Sequence, residues 1–286
     1  MEEKKTSTNG NFDTLVLSGG SVNGINIIGA LQYIYDTNLH TNISIYVGTS
    51  VGAVISYLLA IGYNPMEIIT QICVRQLLEK MKYLNFVEVS NGNGATTFNH
   101  INQELEKLTI EKLGRLITLG ELFTKYKKRI VCVTYNWTLQ KTEYIDHTNY
   151  PDMPCLIALR LSANLPFIFD RFKYLGSYYV DGGVSDDFPI NKGVELGKKV
   201  LGISRIYKVE EEEKEFNLVT FFYQLISVPV NIIAQNQIDK SSENAAIFLL
   251  NSDKKFYEFN LDNTSKLNMF SDGYQEMKKL WEIKNL

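Results

Sequence analysis

The apolar positions of this chain fall into short blocks set between polar turns, and their order predicts the architecture. Asp13-Thr14-Leu15-Val16-Leu17-Ser18 reads as a buried strand that runs into Gly19-Gly20-Ser21-Val22-Asn23-Gly24 and then into a helix to about Tyr35. Ile43 to Val47 is a second β-branched strand, followed by an apolar helix over Ala53 to Ala60, and Pro65 opens a further helix to about Met81. Asn91 to Thr97 is the expected flexible loop, and Ile101, Leu105, Leu108 and Leu113 give Asn99 to Leu113 helical spacing. Arg129 to Tyr135 and Lys141 to Ile145 are expected strands joined by a turn around Thr138-Leu139-Gln140. A short helix over about Met153 to Leu161, strands at Tyr178 to Val180 and Lys199 to Ser204, and a long helix over Asn217 to Gln237 kinked by Pro229 complete the reading. Strands alternating with helices predict an α/β fold, a three-layer αβα sandwich around a mainly parallel central sheet.

The 286 residues are 45% hydrophobic and 21% charged with a formal net charge of -3, values of a globular protein that suggest no nucleic-acid partner. Residues 1–12 are expected to be a flexible segment and 13–286 a single domain. The first ten residues are polar and charged and lack the apolar run of a secretory signal, which sets the expectation of a cytoplasmic protein, peripheral on membranes. Asn217, Thr220, Gln224, Pro229 and Asn231 interrupt the apolar stretch Phe216 to Ala234, so a buried or lipid-contacting helix is expected there rather than a span. Cys73, Cys132 and Cys155 have no metal-binding or redox spacing and read as free thiols, and no metal site is expected. Glu210-Glu211-Glu212-Glu213 reads as a solvated helix start. The cluster Lys125, Lys127, Lys128 and Arg129 reads as a solvated edge, with anionic headgroups as the alternative.

Gly48-Thr49-Ser50-Val51-Gly52 carries the chemistry. A G-x-S-x-G arises by chance in roughly one chain in ten of this length at average glycine usage, so its position between a strand and a helix is what makes it a nucleophile elbow. Ser50 needs a base. In a Ser, Asp or Glu, His order the histidine comes last, but His40, His100 and His147 all precede Asp181 and read as surface or capping residues, so a base of another kind is expected. Asp181 ends an aromatic and β-branched strand and is followed by Gly182-Gly183, and a parallel sheet gathers its strand ends at one edge. The turn Gly19 to Gly24 precedes a helix and presents backbone N–H groups for an oxyanion. It is neither a P-loop, because Ile25 and Asn26 follow Gly24 where Lys and Ser or Thr are needed, nor a dinucleotide loop, because Ser21 stands where Gly is needed.

The glycine turn, Gly48 to Gly52, Arg160-Leu161-Ser162-Ala163-Asn164-Leu165-Pro166 and Tyr179-Val180-Asp181-Gly182-Gly183-Val184 together resemble the patatin-like phospholipases. Asp187-Phe188-Pro189-Ile190 and Asp272-Gly273-Tyr274 add to the resemblance, whose motif core spans 13–204 and leaves 205–286 as a C-terminal helical part. It implies a lipid acyl hydrolase with no metal or organic cofactor, a phospholipid or other glycerolipid substrate, and transient membrane-surface contact. Ser50 is then the nucleophile, Asp181 its base, and the amides of Gly19, Gly20, Ser21 and Val51 the oxyanion donors, with Gly24, Gly48, Gly52, Gly182 and Gly183 supporting the turns. The family commonly has Gly where Ser21 stands, a basic residue at Asn23 and Asn at Asp187. Ile25, Ile27, Ile28, Leu165, Phe167, Ile168 and Phe169 read first as core and second as the lining of an acyl channel. The alternatives are a transacylase using the same acyl-serine and a non-catalytic lipid-binding protein of this fold.

Overall fold

The computed structural model describes residues 12–75, 89, 94–206, 218–241, 243–252 and 258–284. The expected flexible start, the end of the helix opened by Pro65, the first part of the Asn91 loop and the Glu210 to Glu213 run fall outside these residues, except Phe12, which packs against Trp281.

Among the described residues, eight strands form one sheet: β1 (Thr14–Leu17), β2 (Ile45–Thr49), β3 (Arg129–Asn136), β4 (Lys141–Ile145), β5 (Phe172–Tyr174), β6 (Ser177–Asp181), β7 (Val200–Arg205) and β8 (Ala245–Leu250). Their order is β5-β6-β3-β2-β1-β7-β8, with β4 also paired to β3. β3, β2, β1, β7 and β8 run parallel, while β4 and β6 pair antiparallel to β3 and β5 antiparallel to β6.

Side chains alternate across the sheet. Leu15 and Leu17 of β1 pack into the larger core, as do Tyr46 of β2, Ile130 of β3 and Leu201 of β7. Val16, Val47, Val131 and Val200 point to the other face, against Phe188, Ile190 and Ile238. Burial on both faces is why these strands read as continuous apolar runs rather than as an alternation.

On the larger face lie α1 (Gly24–Asp36), α2 (Val51–Ala60), α3 (Pro65–Val74), α4 (Asn99–Leu113), α5 (Leu119–Tyr126), α6 (Cys155–Ser162) and, last in the chain, α9 (Asn263–Lys284). On the other face lie α7 (Ile190–Leu196) and α8 (Leu218–Ser241). The three layers match the expected sandwich. The stretch after 204, expected to be helical, also supplies β8, which extends the sheet beyond β7. α5, β5 and α7 were not expected, and α8 continues through Pro229 to Ser241 rather than ending at Gln237.

One feature of the topology builds the site. β2 pairs with Arg129 to Val133 of β3, and β6 with Thr134 to Asn136. β4 pairs with Cys132 to Asn136, overlapping both, and so takes the opposite edge of β3. β2 and β6 therefore meet end to end along one edge: Thr49 is opposite Val133 and Asp181 opposite Thr134.

Candidate active site

Ser50 is the single residue between β2 and α2, at φ 54°, ψ −123°. That positive φ is uncommon for a residue with a Cβ and stores about 1–3 kcal/mol of strain. The surroundings hold it in place. The Ser50 N–H donates to Ser162 Oγ at 3.0 Å, and the neighbouring Thr49 hydroxyl donates to the Asp186 carbonyl at 2.8 Å. α2 starts on the Ser50 carbonyl, which accepts from the N–H groups of Ala53 and Val54. It also passes so close to β1 that a Cβ on Gly52 would lie 2.5 Å from the Ser18 carbonyl oxygen. Glycine at that position is a packing requirement.

Asp181 ends β6 and is 1% exposed. Its N–H donates to the Asn164 carbonyl at 2.9 Å, and its Oδ1 accepts from the Gly183 N–H at 2.7 Å. Oδ2 has no hydrogen-bond partner of good geometry among the described residues. Burial pushes this carboxyl up to about 7, against the pull of the Ser50 hydroxyl and the Gly183 N–H, and the negative charge of Asp187 adds to the rise. A carboxylate that holds a proton at neutral pH is a far better base than a solvated one near 3.9.

The stretch Arg160 to Pro166 positions both groups. Ser162 takes the Ser50 amide, and Asn164 takes the Asp181 amide while donating its own side chain to the Tyr179 carbonyl at 2.7 Å. Arg160 fixes Asn164 through a 2.5 Å bond to its Oδ1 and stacks on Phe98 at 4.5 Å. Burial draws the Arg160 guanidinium down to about 10.

Gly20 at φ 147° and Ser21 at φ 52° turn the chain into a short 3₁₀ segment ahead of α1. Ser21 therefore occupies a backbone region that glycine adopts freely and serine only at a cost. Of the four amides expected as oxyanion donors, that of Gly19 is committed to the Asp187 carbonyl at 2.9 Å, because the chain end of β1 pairs locally with the Asp187 loop. The N–H groups of Gly20, Ser21 and Val51 have no hydrogen-bond partner among the described residues, and Ser21 and Val51 line a cavity with Ser50.

Two cavities meet at Ser50. One, of about 150 Å³, runs between α1, α2, α3 and α4 and is lined by Ile25, Ile28, Val54, Ile55, Leu58 and Leu105 among other apolar side chains. The other, of about 130 Å³, holds Asp181, Asp187, Arg205 and, from α8, Gln224, Ser227 and Asn231. Ser21, Ser50 and Leu165 line both. Ile25, Ile27, Ile28, Ile168 and Phe169 are buried in the core, as read first; of these Ile25, Ile28 and Phe169, together with Leu165, also line the apolar cavity, and Phe167 lines a separate recess.

Arg205 and Asp187 were not singled out for this role in the sequence. Arg205 ends β7 at the same sheet edge, pairs with Asp187 at 3.5 Å and lies against the Gly20 turn. A lone arginine after a buried strand gives no signal, because β7 joins the site only through its pairing with β1. The histidines stay out of the two cavities: His40 stacks on Tyr35, His147 stacks on Phe123, and His100 is exposed on α4. The basic cluster belongs to the opposite end of the sheet, where β3 begins. There Arg129 pairs with Asp146, Lys125 with Glu121, and Lys128 donates to the Ile43 carbonyl.

A family model for patatin-like phospholipases matches residues 15–192. A probable lipid hydrolase of Invertebrate iridescent virus 6 is 33% identical over 200 residues, which are 66% of this chain and 65% of that relative. An uncharacterised protein of Acanthamoeba polyphaga mimivirus is 27% identical over 277 residues, 93% of this chain and 92% of its own. Among solved structures, VipD from Legionella pneumophila superposes with a TM-score of 0.53 at 16% identity, covering 96% of this chain and 67% of VipD. ExoU of the Pseudomonas aeruginosa type III secretion system, in its complex with SpcU, gives 0.53 at 14% identity over 96% of this chain and 52% of ExoU. At these identities the likeness is one of fold. The chain thus spans about two thirds of the viral hydrolase and about half of ExoU.

Proposed function

This chain belongs to the patatin-like phospholipase family, and on that premise we propose that it hydrolyses fatty-acyl esters of glycerolipids through a Ser50–Asp181 dyad and an acyl-serine intermediate. The observation that carries the proposal is the position of Ser50 where an apolar cavity meets a polar one, beside a buried carboxyl with a raised pKa. An acyl ester has the same division: its hydrocarbon tail matches the apolar arm, and its glycerol and headgroup match the arm that holds Arg205 and the polar face of α8.

Ser50 Oγ attacks the ester carbonyl while Asp181 takes its proton. The N–H groups of Gly20, Ser21 and Val51 stabilise the oxyanion, each such donor being worth about 3–4 kcal/mol of barrier. Collapse of the tetrahedral intermediate breaks the C–O bond, and the proton passes from Asp181 to the departing alcohol. Water then gives a proton to Asp181, attacks the acyl-serine and releases the fatty acid, and Ser50 regains its proton.

Fatty-acid release from phosphatidylcholine vesicles and from a soluble short-chain ester, compared between the protein, Ser50→Ala and Asp181→Ala, tests this. Release by the protein and its loss in both variants is expected. Release that survives either substitution contradicts the dyad. A new ester formed on added lysolipid, in place of free fatty acid, is the transacylase outcome.

A further inference from the structure

α8 has one face in the site and the other in solvent. Val230, Ala234 and Ile238 are buried, and Gln224, Ser227 and Asn231 line the polar cavity beside Ser50. Ser241 fastens the far end of the helix, its hydroxyl donating to Asn191 Oδ1 at 2.7 Å. On the outer face, Phe221, Leu225, Val228 and Ile232 recur at helical spacing with Phe222 and Ile233 beside them, and all are exposed. Beyond Ile233 the outward positions turn polar: Gln235, Asn236, Asp239 and Lys240. The apolar stripe is about 20 Å long, too short to span a hydrocarbon core of about 30 Å.

A second element carries the same surface further. β3 runs past the level of Asp181 into a turn that exposes Trp137 and Leu139, and the β5–β6 turn exposes Leu175 at 76%. Both turns project from the sheet end that carries Ser50, by about 10 Å or more at 3.3 Å per residue. They are continuous with α8: Trp137 and Tyr178 share a recess of about 760 Å³ with Leu225 and Pro229, and Phe167 stacks on Phe222 at 5.8 Å. An apolar patch of this extent around the entrance to an active site marks an interaction surface.

The geometry points to a phospholipid bilayer surface as its occupant, docked through the outer face of α8 and the two turns so that the Ser50 cavities open onto the lipid. The choice of occupant rests on the proposed lipid hydrolysis, because a substrate held in a bilayer must reach Ser50 past these residues. Trp137 and Tyr178 are residues that favour the headgroup boundary, and Arg171 and Lys173 lie over the Tyr178 ring at 4.8 and 5.5 Å. Charge does not drive the contact. The basic cluster of Lys125 to Arg129 is at the opposite end of the sheet, and four glutamates, Glu210 to Glu213, precede α8 in the sequence. Docking is therefore apolar and does not need an anionic membrane.

Flotation of full-length Ser50→Ala with zwitterionic phosphatidylcholine vesicles measures docking without turnover. It is run at about 0.1 and about 1 M salt, where the screening length falls from about 10 to about 3 Å. Binding that persists at the higher salt is expected. Adding Val228→Asp and Ile232→Asp, which touch neither cavity, lowers it about tenfold or more, and Leu175→Asp alone, in a different element, lowers it several-fold. The same surface substitutions in the protein with Ser50 intact retain turnover of a soluble short-chain ester, which shows that they fold. Absence of flotation, flotation lost at high salt, or surface variants that float like their parent overturns the proposal, whether or not the ester is cleaved. Flotation that is sensitive to Val228→Asp and Ile232→Asp, in a protein inactive on every ester, upholds docking and overturns the hydrolase.

Discussion

Asp181 is the residue on which the proposed chemistry turns, and its environment makes opposite demands on activity and stability. With the carboxyl pushed up to about 7 by burial, kcat/KM for a soluble ester rises with pH through an inflection near that value. Asp187, whose charge contributes to the rise, offers a check of sign. Asp187→Asn removes a negative charge beside the base, so the inflection moves to lower pH, while a shift upward or none contradicts the electrostatic account. Because the folded pKa lies above the unfolded value of about 3.9, the folded state binds the proton more tightly, and stability falls as pH rises from about 4 to about 7. Asp181→Asn has no charge to bury. By denaturant titration it is expected to be about 4 kcal/mol more stable than the parent at pH 8 and nearly equal to it near pH 4. Equal stability at both pH values is the opposing result.

The elements most legible in the sequence are those that build the site. Leu15 to Leu17, Ile45 to Val47 and Asn99 to Leu113 fold as their patterns predict, and the G-x-S-x-G falls on the strand-to-helix turn. The elements missed have weak local signals. β5 has three residues, α7 has seven, and β8, Ala245 to Leu250, is a strand only through its pairing with β7. The roles of Ser162 and Asn164 depend on backbone amides far away in the chain, which no spacing encodes. Gly273 is a case between. Its motif was visible, but its purpose is a close crossing of α1 and α9, where a Cβ on Gly273 would lie 2.0 Å from the Asn26 carbonyl and one on Gly29 1.9 Å from that of Phe270. Gly273→Ala therefore costs about 1–3 kcal/mol in a denaturant titration with the pH inflection of activity unchanged. A neutral substitution contradicts that packing.

Across the whole molecule, the candidate site follows from where the parallel strands end. The first turn, Ser50 and Arg205 come from the ends of β1, β2 and β7, and β6 brings Asp181 from the other direction along an edge of β3 that β2 has vacated. The same sheet end carries the exposed apolar face of α8 and the two turns beside it. Ser50 and Asp181, the proposed pair, could be named from motifs because each adjoins a glycine turn. The cavities could not, since they are spaces between α1, α2, α3 and α4 on one side and under α8 on the other. If Ser50 is a nucleophile activated by Asp181, an alkyl fluorophosphonate labels it covalently, and the rate and site of that labelling can be read by mass spectrometry of the digested protein. A single adduct is expected, on Ser50, formed about a hundredfold or more slowly in Asp181→Asn, a hundredfold being the lower end of the range for loss of a general base. No adduct, an adduct on another serine, or an undiminished rate in Asp181→Asn contradicts that activation.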